Sequence, residues 1–177
     1  MNLFHFMRGG MYLGQAFAMQ KAGFNKSEVM QDAAKQFNAS GAPVLENKSS
    51  PGKNAASAAL GGDIGLALKS AQAVLPVNEA GYHAVSCGWW LGQAYGSCKY
   101  ELKDIPSSEL SGYATEAGAH AKALSKLQKL KWSKEETERK FGRHAANLAA
   151  LDSGELPSYA DILDRFAAEE LQRALKK

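Results

Sequence analysis

A chain of 177 residues is long enough for one domain, or for two small halves that share a single core. Hydrophobic residues make up 45% and charged residues 22%, which excludes a chain too polar to bury a core. The formal charge of +3 permits a nucleic-acid partner but does not demand one.

Apolar spacing near 3.6 residues and the boundary signals predict helices over 3–22, 27–39 and 54–75, and then over 80–99, 107–130, 134–151 and 159–176. The first helix carries apolar groups in almost every direction, which predicts a central element packed on several sides. Residues 40–54 (SGAPVLENKSSPGKN) are rich in Gly, Pro, Ser and Asn and read as a flexible loop. Ser133 stands three residues before Glu136, a spacing at which hydroxyl and carboxylate can each cap the other's backbone amide. Pro76, Pro106 and Pro157 fall at boundaries, where a missing amide hydrogen does least harm. The last helix is amphipathic, with Tyr159, Ile162, Leu163, Phe166 and Leu171 on one face. No segment alternates with period two for long enough to suggest a sheet, so the fold class is all-α.

The phrase GGMYLGQAFAMQK returns as CGWWLGQAYGSCK. Between residues 4–21 and the segment 78 positions on, seven of eighteen residues are identical: His5/His83, Gly10/Gly88, Leu13/Leu91, Gly14/Gly92, Gln15/Gln93, Ala16/Ala94 and Lys21/Lys99. Phe4/Tyr82, Tyr12/Trp90 and Phe17/Tyr95 keep a ring in each place. At an offset of 81, Ser27-Glu28-Val29 answers Ser108-Glu109-Leu110, and Leu75-Pro76 answers Leu156-Pro157. We read an internal repeat, approximately 2–79 and 80–157, with an extra C-terminal helix within 158–177. The expected architecture is one compact domain over 1–177, a bundle of about seven helices built from two duplicated three-helix halves plus that last helix. LGQAY also resembles the first-helix signature of tetratricopeptide and Sel1-type repeats. The segment joining the helices is longer than in that unit and the period does not match it, so the chain is not assigned to that family.

Gly10 and Gly14 lie one turn apart, and Gly88, Gly92 and Gly96 form a longer row. Glycine costs about 1 kcal/mol relative to alanine inside a helix, so such rows call for close approach of another backbone. The two LGQA helices are expected to cross each other at these glycines, about a pseudo-twofold axis.

The candidate chemistry is sparse. There is no Gly-x-Ser-x-Gly, no phosphate loop and no dinucleotide fingerprint. ALGGDIGLAL is glycine-rich but lacks the lysine and the strand that phosphate binding requires. Asp152, Glu155 and Asp161 stand near helix ends, where capping accounts for them. His83 and Cys87 share a helical face at a spacing of four, but two ligands do not make a metal site; no metal and no cofactor is expected. His120 and His144 are two further ligand types, placed near each other by no signal in the sequence. His5 and His83, with Gln15 and Gln93, form a possible small-ligand site between the halves, or a buried hydrogen-bond network. The segment 120–144 holds the densest positive charge: Lys122, Lys126, Lys129, Lys131, Lys134, Arg139, Lys140 and Arg143, with Trp132 available to stack on a base. Glu135, Glu136 and Glu138 interrupt it.

Cys87 and Cys98, eleven residues apart in one predicted helix, would stand roughly 16 Å apart, too far to bridge. Free thiols favour a reducing compartment, hence the cytoplasm. Arg8 and the two following glycines break the apolar N-terminal run, so no leader peptide is expected, and no stretch is long and apolar enough to span a membrane. The expectation is a helical protein, not an enzyme, that binds a protein partner or assembles with itself. The alternatives are a nucleic-acid-binding protein using the 120–144 surface, and a small-ligand enzyme or sensor with its site near His5 and His83.

Overall fold

A computed structural model describes residues 2–41, 50–75, 78–100 and 107–127. They form six helices and no strand: α1 (Leu3–Lys21), α2 (Ser27–Ala39), α3 (Pro51–Leu60), α4 (Ile64–Gln72), α5 (Glu79–Lys99) and α6 (Ser107–Leu127). The predicted helices over 134–151 and 159–176 lie outside the described residues.

Local chemistry sets the boundaries. Asn2 caps α1, its side-chain oxygen accepting from the His5 amide at 3.3 Å. At the other end Gly23 turns left-handed (φ +80°), and the Phe24 and Gly23 amides close onto the Met19 and Gln20 carbonyls. That pairing satisfies acceptors a helix end would otherwise expose. Asn78 does for α5 what Asn2 does for α1, accepting from the Gly81 amide at 2.8 Å.

The single helix expected over 54–75 is two helices, and it starts earlier. Pro51 occupies the first turn of α3, where its missing amide hydrogen costs nothing, so residues 51–54 of the expected loop over 40–54 are helical. The helix then stops at Gly61-Gly62. Gly62 adopts φ +79°, and its amide and that of Asp63 close onto the Ala59 and Ala58 carbonyls. Asp63 immediately caps α4, accepting from the Leu66 amide at 2.9 Å. One stop signal followed by one start signal breaks a segment whose apolar pattern runs straight through.

α1 and α5 form the centre of the described structure. A Cβ built on Gly10 would collide with the Val85 carbonyl oxygen, and one on Gly14 with that of Trp89. Conversely, a Cβ on Gly88 would strike the Met7 carbonyl oxygen, and one on Gly92 that of Met11. Residue numbers rise together on both sides, so the helices run parallel, backbone against backbone. The contacts also exchange: shifting Gly10–Val85 by 78 positions gives Gly88–Met7, and Gly14–Trp89 gives Gly92–Met11. Glycine Cα atoms facing carbonyl oxygens are the arrangement in which weak Cα–H···O contacts form between helices.

The long return between these parallel helices runs through α2, α3 and α4. α2 packs on α1, α3 on α2, and α4 on α3 while touching both α1 and α5; α6 packs on α5. The Phe37 ring of α2 lies 5.6 Å from that of Phe6, edge to face, in the space left by Gly9. α3 and α4 approach closely because their inner faces are alanine: Ala55, Ala56, Ala59, Ala67 and Ala71 are buried. No helix among the described residues is long and apolar enough to cross a membrane.

Candidate functional site

Each LGQA helix sends its histidine to a neighbouring helix, α1 to α2 and α5 to α6. In the first, His5 Nδ1 lies 2.7 Å from Gln36 Oε1 on α2. In the second, His83 Nδ1 lies 2.9 Å from His120 Nδ1 on α6. Two rings meeting through Nδ1 require one to donate and the other to accept, so at least one of them is neutral and one proton lies in their hydrogen bond. Burial, outweighing the Glu79 carboxylate 3.9 Å from Nε2, holds His83 below its ordinary value. Burial and then the neighbouring His83 lower His120, against the pull of Glu116. The Tyr82 ring meets both imidazoles edge to face, at 5.3 and 5.9 Å. Cys87, one turn beyond His83, is buried, and burial pushes its thiol up to about 12, so it stays protonated. Among the described residues no group of three or more His, Cys, Asp or Glu could hold a metal ion.

The glutamines behave differently from each other. Gln15 donates to the Tyr100 hydroxyl at 3.3 Å, linking α1 to the end of α5. Gln93 is 5% exposed, and its Nε2 has no hydrogen-bond partner among the described residues. The position 78 residues before Tyr100 is Ala22, which has no side-chain acceptor. A further link between α4 and α5 comes from Gln72, which donates to the buried Ser86 hydroxyl at 3.2 Å.

A groove of about 450 Å³ opens where α1, α4 and α5 meet. Phe17, Trp89, Ile64 and Leu68 give it an apolar lining, and Gln20, Lys26 and Asp63 a polar edge. The Phe17 and Trp89 rings are tilted against each other at 5.4 Å. Lys21 Nζ lies 4.4 Å from the centre of the Phe17 ring, a cation–π contact. Lys26 Nζ is hydrogen-bonded to Gln20 Oε1. Gly61, Gly62 and Gly65 line it with backbone alone, alongside the Ile64 and Leu68 side chains of α4. Leu60 and Leu66, next in sequence to these glycines, are exposed.

The glycine-rich stretch ALGGDIGLAL thus stops one helix, starts another and lines the groove. The spacing of Gly61-Gly62-Asp63 is the sequence signal for all three. His120 as the partner of His83 had no such signal, because the pairing depends on the angle between α5 and α6. Lys122 and Lys126 fall within α6. Lys129, Lys131, Trp132, Lys134, Arg139, Lys140 and Arg143, the remainder of the basic segment, lie outside the described residues. Set against protein families, curated proteins and solved structures, the chain matches none.

Proposed function

We propose that the chain is a non-enzymatic helical binding protein, built from two duplicated halves, whose groove between α1, α4 and α5 takes a segment of a partner protein. The observation that carries this reading is the groove itself: an apolar lining of two aromatic rings and two aliphatic side chains, beside exposed leucines. Its volume of about 450 Å³ falls within the range of pockets that hold ligands or anchor side chains. Burying one large apolar side chain there contributes roughly 1.5–3 kcal/mol, enough to make it the anchor of an interface.

The charge at the rim selects the partner. Lys21 and Lys26 stand at the α1 end, while Asp63, the one carboxylate lining the groove among the described residues, is occupied in capping α4. The occupant is therefore an aromatic or branched aliphatic side chain with an acidic residue beside it. Among the described residues, Lys26 and Asp63 are the titratable side chains that line this groove.

Selection from a displayed random-peptide library tests the proposal. Enriched peptides should pair an apolar anchor with Asp or Glu, and they should lose binding to Gly65→Leu. A Cβ on Gly65 meets only Asp63 Oδ1, at an ordinary contact distance of 3.8 Å, so the position accepts a side chain without a backbone clash, and circular dichroism checks that the variant folds. Peptides that bind Gly65→Leu as well as the original protein would refute the groove. Binding of nucleic acid that survives Gly65→Leu and is lost on charge reversal at Lys122, Lys126 and Lys129 would favour the basic 120–144 surface instead.

A further inference from the structure

The groove between α1, α4 and α5 suits an apolar anchor with a carboxylate beside it, and the chain carries such a segment near its own C-terminus. Along residues 159–176, which lie outside the described residues, Ile162, Phe166 and Glu170 recur at intervals of four. In the helix predicted there, that spacing sets an aliphatic, an aromatic and an acidic residue in one row, with Leu163 one turn before Phe166. Residues 159–170 hold Asp161, Asp164, Glu169 and Glu170 against Arg165 alone, whereas the groove has Lys21 and Lys26 at its α1 end.

The fold brings this segment within reach. His120 meets His83 and Tyr113 stacks on Trp90 at 5.8 Å, so α6 runs antiparallel to α5 and its last residue, Leu127, lies toward the start of α5. Measured along α5, Trp89 in the groove is roughly 20 Å from that level. The intervening residues 128–158 reach on the order of 100 Å when extended, or about 70 Å with 134–151 wound into the predicted helix. A tether of this length holds its far end near the groove at an effective concentration on the order of 1 mM.

We propose that residues 159–176 dock into the groove of the same molecule, Phe166 against Phe17 and Trp89 and Glu170 toward Lys21 and Lys26, and so control access to it. Ile162 and Leu163, one turn from Phe166, then lie toward the exposed Leu60 and Leu66. The proposal rests on the groove reading above, because a partner segment of the same chemistry competes with this one for the same lining. At an effective concentration of about 1 mM and an intrinsic Kd of about 0.1 mM, the segment weakens a partner's apparent affinity about tenfold.

A fluorescent peptide of residues 158–177 is titrated into the full chain and followed by anisotropy. Phe166→Glu in the full chain should empty the groove and raise the peptide's affinity about tenfold, and adding Gly65→Leu should remove binding. Glu170→Lys, which keeps the apolar face, should act in the same direction and carries the test if circular dichroism shows Phe166→Glu unfolded. Equal peptide binding by the original chain and the folded variants would overturn the proposal. So would binding that survives Gly65→Leu, which puts the segment on another surface. Library-selected peptides score the groove separately. If they lose binding to Gly65→Leu yet bind Phe166→Glu no better than the original chain, the groove stands and its internal occupant is refuted. If no peptide responds to Gly65→Leu, both are refuted. A dimer of the original chain in sedimentation that Phe166→Glu dissolves would place the segment in a second copy and overturn docking within one molecule.

Discussion

Replacing Gly92 by alanine tests the central contact most directly. The added methyl would lie 2.8 Å from the Met11 carbonyl carbon and 2.9 Å from its Cα, and closer still to the carbonyl oxygen. No rotamer relieves such a clash, because both partners are backbone. The helices must separate by roughly 1 Å, and in a close-packed core that movement spreads along the seam. Overpacking costs about 1–3 kcal/mol, and backbone against backbone belongs at the upper end. Alanine returns about 1 kcal/mol of helix propensity, leaving a net loss of about 2 kcal/mol out of a typical 5–15. Urea unfolding followed by circular dichroism should show the midpoint falling with an unchanged slope. Gly112 provides the control: a Cβ there meets nothing within 4 Å, so Gly112→Ala in α6 should gain up to about 1 kcal/mol. If Gly92→Ala proved as stable as the original protein, the backbone contact between α1 and α5 would be wrong.

Stability should also depend on pH through the histidine pair. His83 and His120 both titrate below 6.5 when folded, so below 6.5 the unfolded chain takes up more protons than the folded one. The contribution is present in full above 6.5 and falls as pH drops through 6.5 toward the folded values. Urea midpoints at acidic and neutral pH should therefore differ more in the original protein than in the His83→Gln/His120→Gln double variant; identical pH profiles would count against the pairing. Gln93→Met removes a buried donor that has no partner among the described residues, and should stabilise by about 1–3 kcal/mol. A loss of similar size in the melting midpoint would show that the amide is bonded after all.

The parts of the fold legible in the sequence are those set by backbone geometry. Gly10, Gly14, Gly88 and Gly92 announce a close approach because no other residue tolerates one, and α1 and α5 meet at those four positions. The start of α4 is equally open to reading, since Gly-Gly-Asp is a stop followed by a cap, whereas the helix expected over 54–75 follows apolar periodicity alone. Periodicity reports which face is buried and is blind to a break that keeps the same face inward, as Ala59 and Ala67 do on either side of Gly61-Gly62. The candidate sites were harder to see. Phe17 and Trp89 belong to different helices, and their meeting at 5.4 Å follows from the register of α1 against α5. The same holds for His83 and His120, whose 2.9 Å approach depends on how α6 docks.

The proposed duplication gives these differences a common cause. Exchange of the two LGQA helices preserves the glycine contacts, because a backbone seam admits one residue type and either half fails without it. It does not preserve the polar and aromatic pairs. Gln15 has Tyr100 where Gln93 would have Ala22, and His83 has His120 where His5 has Gln36. Phe17 and Trp89, which line the groove together, correspond to Tyr95 and Met11. A side-chain contact can be lost on one side of a pseudo-twofold axis at a cost of about 1–3 kcal/mol, which the rest of the core absorbs. Positions of that kind are free to diverge after a duplication, and one of them, the groove, is the site of the binding proposed for this chain. The symmetric seam holds the helices in place, while the asymmetric positions around it are where a repeated scaffold can acquire a site that it carries only once.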